Sequence, residues 1–361
     1  MLTTNLRRLL GQLPEKVKVV SRYVGKGMPV FVVAEIGLNH NGDLELAKRL
    51  IREAKEAGAD AVKLQKRTTH EILTEAALKA PYNSPNAMAP TYGEHREKLE
   101  FGFDEYVALR KYAEEIGVIF FASVWDPKSV DFMESIGVGA YKVPSADITN
   151  LPLLEYVAKT NKPVLISTGM CTLDEIDEAV ETVLRHNNRL IIHHCVSLYP
   201  CPEEKLNMRA LPMLAERYAP LPVGYSGHET TVEPTLAAIA RGAATVERHI
   251  TLDRNMKGPD HKASLEIPEL KKLVEEIRRI ERVLGQPIKL IYPEEVPMRE
   301  KLAKSIVARV TIPKGTKITQ EMLTLKSPAK GLMARDMPKL VGRRAKVDIA
   351  PDDLLAHDKV E

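Results

Sequence analysis

The stretch AATVERHITL (243–252) begins as an apolar strand and then sets Glu247, Arg248 and His249 where more core would be expected. An internal ion pair would account for such a row, and so would working side chains at the mouth of a barrel. The same ending recurs along the chain. Eight β-branched runs finish in groups that bind or ionise: Glu35; Lys63 and Gln65; Ser123; Lys142, Ser145 and Asp147; Ser167 and Thr168; His194, Ser197 and Tyr199; Ser226 and His228; Glu247 and His249. One such ending is ordinarily structural, but eight in one chain are hard to attribute to solvation. Lys63 and Lys142, with Ser123, Ser145, Ser167 and Ser226, have the chemistry of a cationic, hydroxyl-rich cradle for a phosphate. His228 and His249, on consecutive strands, can converge on one metal ion or can be two hydrogen-bonded core histidines. Glu35 can act as a general acid or base, or as a further ligand through water.

Such a ring needs elements that bring strand ends together. The candidate strands are FVVAEIG (31–37), AVKLQK (61–66), VIFFAS (118–123), AYKVPS (140–145), PVLIST (163–168), LIIHHCV (190–196), PVGYSGH (222–228) and ATVERHI (244–250). Between them lie helical patterns such as 44–58, with Leu46, Leu50, Ala54 and Ala57 on one face, and 173–187. Gly58 and Gly137 sit where helices should end. Eight strand–helix units in about 250 residues predict an α/β fold, a (β/α)8 TIM barrel. A doubly wound sheet would carry a glycine-rich phosphate turn after its first strand, and EIGLNHNG lacks that spacing. Residues 68–102 form a long insertion after the second strand, the length of a functional lid. The expected division is a barrel domain over 1–283, a linker over 284–303 and a small β-rich module over 304–361.

Composition narrows the function classes. The chain has 361 residues, 44% of them hydrophobic and 28% charged, with a net charge of +3. No window has the roughly 18 uninterrupted apolar residues of a membrane helix, and Arg7 and Arg8 interrupt any leader-like N-terminus. A cytoplasmic enzyme with no membrane partner is expected. From Lys304 onward there are 12 Lys and Arg against 7 Asp and Glu. That basic tail has few aromatic residues to stack bases, so no nucleic-acid role is expected. The three cysteines, Cys171, Cys195 and Cys201, offer neither a disulfide framework nor a second C-x-x-C for zinc. Cys195 and His194 are adjacent on a strand and face opposite ways, so Cys195 reads as a buried structural thiol and not as a nucleophile. Of His193 and His194, one is expected to be a packing residue. Lys142 within an apolar strand could also be a Schiff-base lysine of an aldolase, although its neighbours favour an anion site.

EIGLNHNGD, AGADAVKLQK, YKVPSADITN, ISTGM, GYSGHET and ERHITLD, in that order, resemble the sialic acid synthase family, and the animal type above all. TYGEHREKLEF in the insertion and KGPDHKASLE after the last strand extend the likeness. The tail segment SIVARVTIPKGTKITQEMLT resembles the antifreeze-like (SAF) domain of these enzymes. The resemblance implies condensation of phosphoenolpyruvate with N-acetylmannosamine 6-phosphate or N-acetylmannosamine. It implies a divalent metal, manganese or else magnesium or cobalt, held by His228 and His249. It implies a phosphoenolpyruvate site of Lys63, Gln65, Ser123, Lys142, Ser145, Ser167 and Ser226, with Glu35 near the reacting centre. Gln65, Asp147, Tyr199, Asp260 and Arg335 would face the sugar. Glu247 and Arg248 would be supporting residues, and the antifreeze-like domain of one subunit would cap the other's barrel in a homodimer.

Two departures fall on the sugar side. Ser327 stands where bacterial relatives have an arginine in the capping domain, leaving Arg335 or Lys326 to reach the site, and Ser197 replaces an expected asparagine. His95, Arg96, Lys257 and Lys262 are the candidates for a second phosphate on the sugar. Synthases of other nonulosonates, of the legionaminate or pseudaminate type, are the alternative, and a non-enzymatic carbohydrate- or ice-binding role is disfavoured by the intact strand ends.

Overall fold

In the computed structural model, which describes residues 2–361, eight parallel strands close into a barrel. They are β1 (Phe31–Gly37), β2 (Ala61–Lys66), β3 (Ile119–Val124), β4 (Tyr141–Val143), β5 (Val164–Ser167), β6 (Leu190–Cys195), β7 (Val223–Gly227) and β8 (Thr245–Thr251). Closure is made by β8, which pairs with β7 on one side and β1 on the other. Helices α1 (Leu44–Glu56), α2 (Phe103–Glu115), α3 (Pro127–Ile136), α4 (Leu151–Ala158), α5 (Leu173–Leu184), α6 (Ala210–Arg217), α7 (Glu233–Ala240) and α8 (Ile267–Leu284) follow the strands in turn. The predicted barrel is therefore correct, with strand limits mostly within two residues. The fourth strand stops at Val143 because Pro144 has no N–H for the ladder and Ser145–Asp147 turn into a 3-10 helix.

Local chemistry explains the helices. Asp43 caps α1 by accepting from Glu45 and Leu46 N–H at 2.8 and 3.0 Å. The buried face of α1 is Ala47, Leu50, Ile51 and Ala54, rotated slightly from the expected one so that two adjacent columns share the contact. Gly137 closes α3 at φ 80°, a left-handed conformation in which glycine carries no side-chain clash.

The barrel interior is layered. At its lower end Phe31, Val33, Ala61, Phe121, Ala140, Leu165 and Ile191 form an apolar plug. A short hairpin, Lys16–Val19 paired with Arg22–Gly25, seals that end with Val17, Val19 and Val24. Because alternate strand residues face inward, the next inward positions up each strand carry Glu35, Lys63, Lys142, His193, Ser226 and Glu247. The 68–102 insertion is folded, with short helices at Thr69–Ile72, Glu75–Lys79 and Tyr92–Lys98 and a bridge between Pro81 and Thr91.

The chain divides into two compact units, residues 1–285 and 286–361. In the second, Ser305–Ala308 pairs antiparallel with Leu323–Lys326. Its own core includes Ile306, Ile312, Ile318, Leu323, Leu340 and Ile349. Among the described residues, no helix is long and apolar enough to cross a membrane.

Candidate active site

Register alone brings the polar strand ends together. Across the closed sheet His249 stands beside Glu35, Glu35 beside Lys63, Gln65 beside Ser123, Ser123 beside Lys142, and Ser226 beside Glu247. They line a cavity of about 280 Å³ at the C-terminal ends of the strands. Of the fourteen residues given a catalytic, substrate or metal role from the sequence, twelve are in its wall: Glu35, Lys63, Gln65, Ser123, Lys142, Ser145, Ser167, Tyr199, Ser226, His228, His249 and Asp260.

Alternation along β8 sends Glu247 and His249 inward and Arg248 outward. Arg248 points outward and is 1% exposed, its Nη1 pairing with Glu229 at 2.8 Å and donating to Thr235 at 2.7 Å. It is a buried structural pair. Glu247 points inward and is no bystander: its Oε2 lies 2.8 Å from Lys142 Nζ, its Oε1 3.7 Å from Lys63 Nζ, and Ser226 Oγ donates to it at 3.3 Å. Burial raises the Glu247 carboxyl, but Lys142 and Lys63 overcome this and hold it well below the usual carboxylate range. Lys63 also reaches Glu35 at 2.7 Å and donates to Ser123 Oγ at 2.6 Å. Burial, with Glu247 nearby, outweighs Lys63 and pushes Glu35 up to about 7. Burial likewise pulls Lys142 down, against the attraction of Glu247.

Both lysines are thus held by carboxylates that an incoming phosphate would have to share. His193 is the inward member of the histidine pair, 3.1 Å from Lys142 Nζ, whereas His194 faces outward and bonds the Leu206 carbonyl at 2.8 Å. Cys195 is buried, as read from the sequence, and it also borders the cavity. Its Sγ lines the cavity, accepts from Ser145 Oγ at 3.6 Å and interacts with the His228 imidazole, a residue from the neighbouring strand.

His228 and His249 lie with ring centroids 5.5 Å apart, and Tyr199 stacks on His228 at 4.0 Å. His228 Nδ1 is committed to the Val196 carbonyl at 3.0 Å, which leaves Nε2 with its lone pair. Burial lowers the His228 value, but Cys195 and the Val196 carbonyl prevail and hold it above normal. His249 Nδ1 is buried without a hydrogen-bond partner, with Asp260 Oδ2 at 3.8 Å. Burial depresses this imidazole to about 4, so it is neutral at physiological pH. An unpartnered neutral imidazole beside a second one fits a divalent ion. No third His, Cys, Asp or Glu joins them in a ready ligand cluster among the described residues. Gly37 (φ 57°) makes room here, since a Cβ would meet the His249 ring and Asp260 Oδ2 at 3.1 Å.

Asp147 and Arg335 are not in the cavity wall. Asp147 bonds Asn150 at 3.0 Å on the turn after β4, and Arg335 is exposed on the second unit. Of the residues proposed for a second phosphate, Lys257 and Lys262 are exposed and do not line the cavity. His95 is buried, accepts from Met88 N–H at 3.1 Å and packs on Tyr82. Burial first, then Arg96, lowers it, so it carries no charge for an anion. Only Arg96 of that group reaches the wall. Arg67 and Trp125 do as well, and sequence reasoning missed them because both lie just past the predicted strand ends.

Residues 50–289 match the model of the NeuB family, and residues 303–361 match that of the SAF domain. The chain is 44% identical to human N-acetylneuraminate-9-phosphate synthase, over 94% of this chain and 95% of that one. It is 37% identical to N,N'-diacetyllegionaminic acid synthase of Legionella pneumophila, over 93% and 96% respectively. Among solved structures it is similar to N-acetylneuraminic acid synthetase from Leptospira borgpetersenii, at a TM-score of 0.71 and 34% identity, covering 79% of this chain and 95% of that one.

Proposed function

The chain belongs to the NeuB family and carries a SAF domain, and on that premise we propose that it condenses phosphoenolpyruvate with an N-acylated mannosamine-type sugar and releases phosphate. N-acetylmannosamine 6-phosphate is the preferred acceptor, giving N-acetylneuraminate 9-phosphate. The free sugar, and the precursor of a legionaminate-type product, are the alternatives. The observation that carries this reading is a single cavity in which two buried lysines and a ring of serines sit beside two converging imidazoles and the buried Glu35 carboxyl, 2.7 Å from Lys63.

In this reading Lys63 and Lys142 exchange part of their pairing with Glu35 and Glu247 for the substrate phosphate, while Ser123, Ser145, Ser167 and Ser226 supply hydroxyl donors. C3 of phosphoenolpyruvate attacks the aldehyde carbon of the open-chain sugar, so one C–C bond forms. Water adds at C2, and the C2–O bond to phosphate breaks. Glu35, poised near neutral pH, takes the proton from that water. His228 and His249 would hold a divalent ion, manganese by preference, that supplies Lewis-acid polarisation of the aldehyde oxygen. Tyr199 and Asp260 face the sugar. The 2.8 Å pairing of Lys142 with Glu247 favours a charged cradle over a Schiff-base lysine.

Phosphate release from phosphoenolpyruvate, with Mn²⁺ and either sugar, before and after EDTA, tests the proposal. Metal-dependent release with the 6-phosphate is expected. Release that survives chelation, or borohydride trapping of the enzyme with sugar, would move the chain to aldolase chemistry. We also propose a cytoplasmic homodimer in which the C-terminal module of one subunit caps the other's barrel, bringing Arg335 to the sugar. Removing residues 304–361 should then lower turnover sharply, and intact turnover would refute the capping role.

A further inference from the structure

Beyond Gln65 the cavity wall turns into a second cationic patch that the condensation chemistry leaves unused. Arg67 is 4% exposed, and its guanidinium lies 4.2 Å from the ring centroid of Trp125. Its Nη2 bonds the Gln65 side-chain oxygen, but its Nη1 is buried without a hydrogen-bond partner. Trp125 Nε1 is buried without one as well. The nearest acid to Arg67 is Glu100, whose Oε1 lies 3.6 Å from Nη1, beyond hydrogen-bond reach, while its Oε2 serves Lys66 at 3.3 Å and the Arg67 backbone N–H at 3.2 Å.

Arg96 reaches the same wall from the insertion and has no acidic partner among the described residues; its Nε and Nη2 donate to the Tyr92 hydroxyl at 2.9 and 2.7 Å. Lys66 and Arg67 therefore share one carboxylate, Glu100, while Arg96 and Asp260 line the same wall. Burying guanidinium groups with donors unspent is costly unless an anion completes them.

The place of this patch fixes what the anion belongs to. Lys63, Gln65 and Arg67 follow one another at every second residue on the inward side of β2 and its continuation. At about 3.3 Å per residue, Arg67 lies roughly 13 Å further along than Lys63. That is the order of the span from the phosphate of enolpyruvate to the far end of an open-chain six-carbon sugar. Gln65 sits between the two charge centres, donating to Glu35 at 2.8 Å and accepting from Arg67.

We infer that Arg67, backed by Trp125 and joined by Arg96, is the residue that receives a phosphate monoester at the far end of the acceptor sugar and so selects the phosphorylated acceptor. The inference rests on the proposal that this cavity takes phosphoenolpyruvate and an amino sugar. The planar fork of arginine offers two parallel donors to phosphate, which lysine cannot.

Trp125 is the chain's single tryptophan, so its emission reports on this patch directly. The full-length, Mn²⁺-loaded protein is titrated with N-acetylmannosamine 6-phosphate and, separately, with N-acetylmannosamine. A saturable emission change with the phosphorylated sugar alone is expected, and Arg67→Met should abolish it. The ratio of kcat/KM for the phosphorylated over the free sugar should fall about 100-fold in Arg67→Met, with partial recovery in Arg67→Lys. Arg96→Met, a change at a more accessible residue, should reduce the same ratio and keeps the test available if Arg67→Met does not fold. Equal use of both sugars by the wild type overturns the inference, and so does an equal loss on both in either Met variant. Should no sugar support phosphate release while the Arg67-dependent titration persists, the proposed reaction fails and the subsite stands.

Discussion

His249→Ala is expected to remove nearly all phosphate release and most of the bound Mn²⁺. The imidazole is neutral, buried and without a partner at Nδ1, a state that hydrogen bonding inside a core would not leave uncorrected. Partners that merely orient a metal ligand typically cost about 10–100-fold when lost, and loss of the ligand itself should exceed that. Measuring manganese per protomer alongside turnover separates this role from a packing one. Normal metal content with full activity would take His249 out of the ligand set. Chelation of the wild type should reproduce the variant's loss, and restoring Mn²⁺ should rescue the wild type and not the variant.

Lys142→Met should raise the KM for phosphoenolpyruvate and lower kcat/KM by about 10²–10³-fold, the range seen when one donor to developing charge is removed. The KM for the sugar should move far less. The substitution also strands Glu247 next to an uncharged chain, and breaking a buried pair on one side costs about 3–5 kcal/mol. A second variant, Lys142→Met with Glu247→Gln, removes the stranded charge and should recover stability without recovering phosphoenolpyruvate binding. Parallel recovery of both would mean that Lys142 acts only through the fold. An equal rise in both KM values would argue against a phosphate cradle at this lysine.

Much of this site was legible in the residues. Alternation along a strand is a property of the backbone alone, so ATVERHI already implies that Glu247 and His249 share a face and that Arg248 takes the other. Eight strand–helix units with polar strand ends imply a barrel and place those ends at one mouth. Lys63, Lys142, His228, His249 and the four serines were therefore identifiable without coordinates.

What the tertiary structure decided was which of these groups meet, and with what consequence. Lys142 and Glu247 are 105 residues apart and touch only because the barrel closes. Their contact turns Glu247 from a supporting residue into the counter-ion of both lysines. Cys195 meets His228 across neighbouring strands, and no local pattern encodes that register. The 16–25 hairpin plugs the barrel through three valines whose short runs carry no signal of where they dock. Arg67 and Trp125 lie 58 positions apart, each just past a strand end, and only the pairing of the two strands brings the guanidinium 4.2 Å from the ring. Periodicity is local and survives in a single sequence. Charge pairing and burial depend on which backbones come within a few ångströms, and that is settled only when the whole chain has closed on itself.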